Sequence, residues 1–97
     1  MALIVKWTLQ AERGLDKVIK YLEKEWTAKE IIQLEKNIDR VIYQISLNPE
    51  LFPKSETFKK LYKAIIDKNN YLVYRVNIKS RCIEIINFRG TKQKPKY

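Results

Sequence analysis

The chain of 97 residues carries 20 Lys/Arg against 11 Asp/Glu, a formal net charge of +9, with one cysteine and no histidine. The missing imidazole excludes His-based zinc sites, His-dependent catalytic triads and the ordinary general base of neutral pH; the lone Cys82 excludes an internal disulfide and a multi-thiolate metal site, so neither metal nor other cofactor is expected. A hydrophobic share of 45% with only 2 Gly and 3 Pro suits one small domain over residues 1–97, and no apolar run approaches the roughly 20 residues that span a bilayer.

Leu3 to Thr8 is short, β-branched and aromatic, and predicts a first strand. Lys6 interrupts it before a signal-peptide core forms, so a soluble cytoplasmic protein with no membrane partner is expected. Apolar residues then fall at Ala11, Leu15, Val18, Ile19, Leu22 and Trp26, steps of three and four that predict a helix beginning near Thr8–Gln10, with Gly14 as its weak point. Thr27-Ala-Lys-Glu30 has the spacing of a capping box and opens a second helix through Ile31, Leu34, Ile38, Val41, Ile42 and Ile45. Asn48-Pro49 stops it, because proline lacks an N–H and disfavours helix in the residue before it. Two helices so nearly contiguous predict an antiparallel hairpin. Residues 49–59, with Pro49, Pro53, Lys54 and Ser55, read as a loop. Beyond it the apolar period shortens to two over Leu61–Ile66, Tyr71–Ile78 and Cys82–Phe88, joined by the polar connections Asp67–Asn70 and Lys79–Arg81. The order β-α-α-β-β-β defines an α+β fold, an antiparallel sheet with a helical hairpin packed on one face, closed by a basic tail over residues 89–97.

Charge is segregated along this order. Residues 1–53 hold eight Lys/Arg and eight Asp/Glu, whereas residues 54–97 hold twelve against three, so the whole excess sits in the second half. Such asymmetry makes a one-sided field that attracts polyanions or an acidic partner, although a merely solvated lysine-rich surface is the plainer alternative. Strand alternation sorts the side chains: Leu72, Tyr74, Val76 and Ile78 belong with the helices, and Tyr71, Val73, Arg75 and Asn77 with the open face. With Tyr62, Ala64 and Ile66 turned inward, Lys63 joins Arg75. The expected open surface therefore carries Lys63, Tyr71, Arg75, Arg89 and Lys92, with Lys59 and Lys60 at the start of the second strand and Lys94 in the tail. Cations neutralise phosphates and an aromatic face stacks on an unpaired base; the same surface also suits an acidic protein segment. Each residue has a duller reading. Tyr71 fits a half-buried sheet position, Arg75 an ion pair with Glu84 across the hairpin, and Lys59, Lys60, Lys94 and Lys96 a solvated surface. Trp7 and Trp26 suit packing, Cys82 an inert core thiol, and Glu12, Asp16, Glu23 and Glu30 helix-face charges rather than a carboxylate dyad.

The element order, Leu47-Asn-Pro-Glu50, the strand Tyr71-Leu-Val-Tyr-Arg-Val76 and the ending Phe88-Arg-Gly-Thr-Lys-Gln-Lys-Pro95 together resemble the RelE/ParE toxins of type II toxin–antitoxin systems. The resemblance implies a growth-inhibiting toxin with a cognate antitoxin partner and one of two targets. RelE-type members cut ribosome-bound messenger RNA by attack of a 2′-hydroxyl on the adjacent phosphate; ParE-type members poison DNA gyrase and have no established catalytic residues. Carried over residue by residue, a family lysine falls on Lys63, but the lysine two positions on falls on Ile65. The arginine opening the third strand meets Tyr71, with Arg75 further along, and the arginine after the fourth strand meets Arg89 or Lys92. Only Tyr97 is placed to match the family's C-terminal aromatic acid–base residue. Without histidine, the base would have to be a lysine or tyrosine of lowered pKa, or a carboxylate such as Glu56. The incomplete set favours the gyrase poison. A metal-independent, ribosome-dependent endoribonuclease using Lys63, Tyr71, Arg75, Arg89 and Lys92 is the alternative; a nucleic-acid-binding module, or an inactive toxin that only binds antitoxin, is the third reading.

Overall fold

The computed structural model describes residues 3–25, 27–56, 58 and 60–90. Trp26, Lys59 and the tail beyond Gly90, with Lys92, Lys94, Lys96 and Tyr97, lie outside the described residues. The elements run β1 (Ile4–Trp7), α1 (Leu9–Glu25), α2 (Ala28–Leu47), β2 (Tyr62–Asp67), β3 (Asn70–Asn77) and β4 (Cys82–Gly90), in the predicted order. Thr8 serves both its neighbours: its hydroxyl donates to the Ile85 carbonyl at 2.8 Å and accepts from the Ala11 N–H at 3.2 Å, capping α1. At α2 the predicted capping box forms, the Thr27 N–H donating to Glu30 Oε2 at 3.0 Å. The helix closes at Asn48, whose N–H reaches the Gln44 carbonyl just ahead of Pro49. No helix among the described residues is long and apolar enough to cross a membrane.

The sheet order is β1-β4-β3-β2. The β2-β3-β4 meander is antiparallel as expected, but β1 joins parallel to β4, Ile4 opposite Cys82 and Trp7 opposite Ile85, so the sheet is mixed rather than antiparallel throughout. The helical hairpin between them supplies the long crossover that a parallel pair needs, and a four-residue strand carries no mark of its partner. One face forms the core: Ala64, Ile66, Leu72, Tyr74, Ile83, Ile85 and Phe88 of the sheet close on Ala11, Leu34, Ile38, Val41 and Ile45 of the helices. Trp7 packs tilted against Phe88 with ring centroids 6.4 Å apart, and Cys82 is buried, both in their expected structural roles. Ile78 was expected in the core and is instead 83% exposed, because β3 ends at Asn77 and Ile78 opens the turn to β4.

Two local features position the residues of the open face and of the α1–β4 edge. A Cβ built on Gly14 would lie 2.2 Å from the Phe88 carbonyl oxygen, so α1 rests directly on the β4 backbone. In β4, Val73 pairs with Asn87 but Tyr74 with Ile85, leaving Ile86 as an extra residue in a bulge. The bulge reverses the alternation: Ile83 and Ile85 face the helices, and so does Phe88, which puts Arg89 on the opposite face beside Tyr71.

Candidate functional site

The helices leave one face of the sheet uncovered, and the charged residues predicted for it divide into two groups. Lys63 and Arg89 flank Tyr71. In its row of the sheet Tyr71 stands between Ile65 and Arg89, and Lys63 Nζ lies over its ring, 4.4 Å from the centroid. Tyr71 is accordingly 3% exposed, not the open stacking platform expected from alternation: a cation occupies the ring face that a base would need. Ile65, opposite Tyr71 in β2, is 53% exposed. Lys60 is exposed in the turn before β2.

Arg75 stands apart, four residues along β3 from Tyr71 and so roughly 13 Å away. Its Nε donates to Glu84 Oε1 at 2.7 Å across the β3–β4 pair, which makes the ion-pair reading of Arg75 the observed one. Lys6 of β1 lies opposite Glu84 on the other side. The Arg75 hydrogen bond, then its charge and that of Lys6, hold the Glu84 carboxyl below the usual carboxylate range. A depressed folded-state pKa stabilises the fold above the ordinary carboxylate pKa, and that contribution is lost as pH falls through the depressed value. Denaturation of the wild type and Glu84→Gln across pH should therefore differ most near neutrality and converge in acid. A gap of constant size would assign the effect to packing instead.

A second concentration of charge was missed by the strand-based reading. Beyond Trp7, β4 continues without β1, and there α1 and the β4 edge enclose a cleft of about 640 Å³ lined by Gln10, Arg13, Gly14, Lys17, Asn87 and Arg89 among others. Arg13 and Lys17 are one turn apart, on the stripe of α1 that carries Gln10 and Gly14. The available signal was that Gln10-Arg13-Gly14-Lys17 spacing, which resembles a solvated helix face until the Gly14–Phe88 contact is known. On the other flank of α1, a groove of about 710 Å³ runs against α2 and the β2–β3 turn; its wall is apolar, with Val18, Tyr21, Leu22 and Leu34, and is edged by Glu30 and Asp67. No group of His, Cys, Asp and Glu that would hold a metal occurs among the described residues.

Two helices on one side of a four-stranded mixed sheet match the fold of the RelE/ParE toxins. The YoeB/ParE toxin from Agrobacterium tumefaciens superposes with a TM-score of 0.66 at 16% identity, covering 91% of this chain and 98% of that one. The isolated Escherichia coli RelE toxin gives 0.59 at 17% identity, over 96% and 88%. RelE in the archaeal RelE–RelB complex from Pyrococcus horikoshii gives 0.52 at 21% identity, over 97% and 100%. At these identities the likeness is one of fold. Membership comes from sequence: the ParE toxin family of the type II toxin–antitoxin system parDE matches residues 5–95, and the chain belongs to that family. No curated protein sequence matches it.

Proposed function

We propose that this toxin arrests growth as a ParE-like poison of DNA gyrase and is silenced by an antitoxin that covers its basic surface. The observation that carries the choice of target is the state of the open sheet. Messenger RNA cleavage by this fold needs cations around the scissile phosphate together with an acid and a base that reach it. Here Tyr71 lies buried under Lys63, Arg75 is committed to Glu84, and an isoleucine occupies the second lysine position. These features support a toxin that acts by binding. An antitoxin partner is supported by the family itself and by the Pyrococcus horikoshii relative, whose RelE is bound to RelB.

The ribonuclease reading retains one favourable observation, the convergence of Lys63 and Arg89 on Tyr71. The two targets separate in a paired assay. Purified toxin should inhibit supercoiling of relaxed plasmid by gyrase and leave ribosome-bound messenger RNA intact; cleavage of the message with supercoiling unaffected would reject the gyrase assignment. In that event Lys63→Ala and Arg89→Ala should each abolish cleavage without unfolding the protein, and Arg75→Ala should do less, since Arg75 is paired with Glu84 away from Tyr71. Expression without any arrest of growth would instead favour an inactive chain retained for antitoxin binding.

A further inference from the structure

The cleft between α1 and the part of β4 beyond β1 contains none of the candidate residues for the toxic activity except Arg89 at its rim. We propose that it is a phosphate-binding site that holds the backbone of a nucleic-acid strand through Arg13, Lys17 and Arg89. The assignment does not depend on which target the toxin attacks.

Convergence is the first argument. Arg13 and Lys17 approach from the helix, and Arg89 lines the cleft from the strand. Charge sorting is the second. Helix α1 carries Glu12, Asp16, Glu23 and Glu25, yet no acidic side chain lines the cleft among the described residues, and Asp16 is drawn off by Lys20 at 2.9 Å. Gln10 and Asn87 add amide groups beside the three cations. Arginine forks, a lysine point charge and neutral amides are the side chains that grip phosphate oxygens.

The same geometry argues against a protein segment as the occupant. A peptide adding a strand to β4 would need open backbone groups, but this edge is already closed. The Thr8 hydroxyl sits on the carbonyls of Ile85 and Ile86, Asn87 Oδ1 accepts the Phe88 N–H at 2.9 Å, and α1 presses on the Phe88 carbonyl at Gly14. Protein interfaces also centre on apolar and aromatic contacts. The groove on the other flank of α1 has that character; this cleft does not.

The test measures binding of a fluorescein-labelled 12-nucleotide oligothymidylate to the full chain by anisotropy over a range of salt. Arg13→Gln/Lys17→Gln should weaken binding about tenfold at low salt and reduce the slope of log K against log salt by about 1.4, the loss of two phosphate contacts on a single strand. Lys24→Gln/Lys36→Gln removes the same charge from exposed helix positions outside the cleft and should leave both quantities nearly unchanged, with circular dichroism confirming that both variants fold. Equal losses in the two variants would reduce the effect to net charge and overturn the site. Absence of binding by the wild type would do the same. So would a labelled oligoglutamate peptide that responds to the cleft variant while the oligonucleotide does not, since the cleft would then serve an acidic protein segment.

Discussion

Gly14→Ala is expected to destabilise this protein by about 1–3 kcal/mol, measured as a lowered denaturation midpoint at unchanged m-value. The sign is the point of the experiment. In an open helix the same change removes the backbone-entropy penalty of glycine and stabilises by about 1 kcal/mol. Here the added methyl would start 2.2 Å from the Phe88 carbonyl oxygen and 3.2 Å from Asn87 Oδ1. The Phe88 carbonyl belongs to a strand held by its pairing with β3, so α1 must retreat from β4 by on the order of 1 Å to restore ordinary separation. That retreat would loosen Ala11 and Leu15 against the sheet and widen the cleft that holds Arg13, Lys17 and Arg89. A neutral or stabilised Gly14→Ala protein would mean that α1 does not rest on β4 as described.

The second large effect is expected at Tyr74, which is 0% exposed and links three parts of the molecule. Its ring stacks on Tyr62 of β2 with centroids 5.1 Å apart, and its hydroxyl donates to the Pro49 carbonyl at 2.7 Å, tying the loop after α2 to the core. Burial, with Tyr62 adding to it, pushes the phenol well above its ordinary pKa, so the donor stays protonated at every working pH. Tyr74→Ala should cost about 3–5 kcal/mol, the usual range for emptying a buried aromatic site. Tyr74→Phe keeps the ring and leaves the Pro49 carbonyl without that partner, for a loss of about 1–3 kcal/mol. The two variants separate packing from hydrogen bonding. A Phe variant as stable as wild type would show that the loop is held by its other contacts, such as the Lys63 N–H to the Pro53 carbonyl at 2.9 Å.

Local pattern carried much of the fold. Leu34, Ile38, Val41 and Ile45 were readable as one helix face because each lies three or four residues from the last, and all four are buried. Ala64, Ile66, Leu72 and Tyr74 followed equally from strand alternation, and the Thr27–Glu30 cap from its spacing. The Arg75–Glu84 pair was available as an alternative, since residues flanking a short hairpin connection face each other. Tyr71 shows where alternation stops being informative. It does face away from the helices, but period two says nothing about whether a neighbour's side chain lies on top, and Lys63 does.

Composition, charge segregation and apolar period, all properties of near neighbours along the chain, determined the α+β class, the element order, the cationic second half and the exclusion of histidine chemistry. Contacts between residues distant in sequence decided the rest. The parallel seat of β1 on β4, the descent of α1 onto Phe88 at Gly14, and the one-residue bulge at Ile86 exist only once separate elements meet. The bulge matters most for function, because strict alternation would have turned Arg89 inward with Ile83 and Ile85. One unpaired residue, set by how β4 must match β3 and receive α1, places that charge on the surface instead.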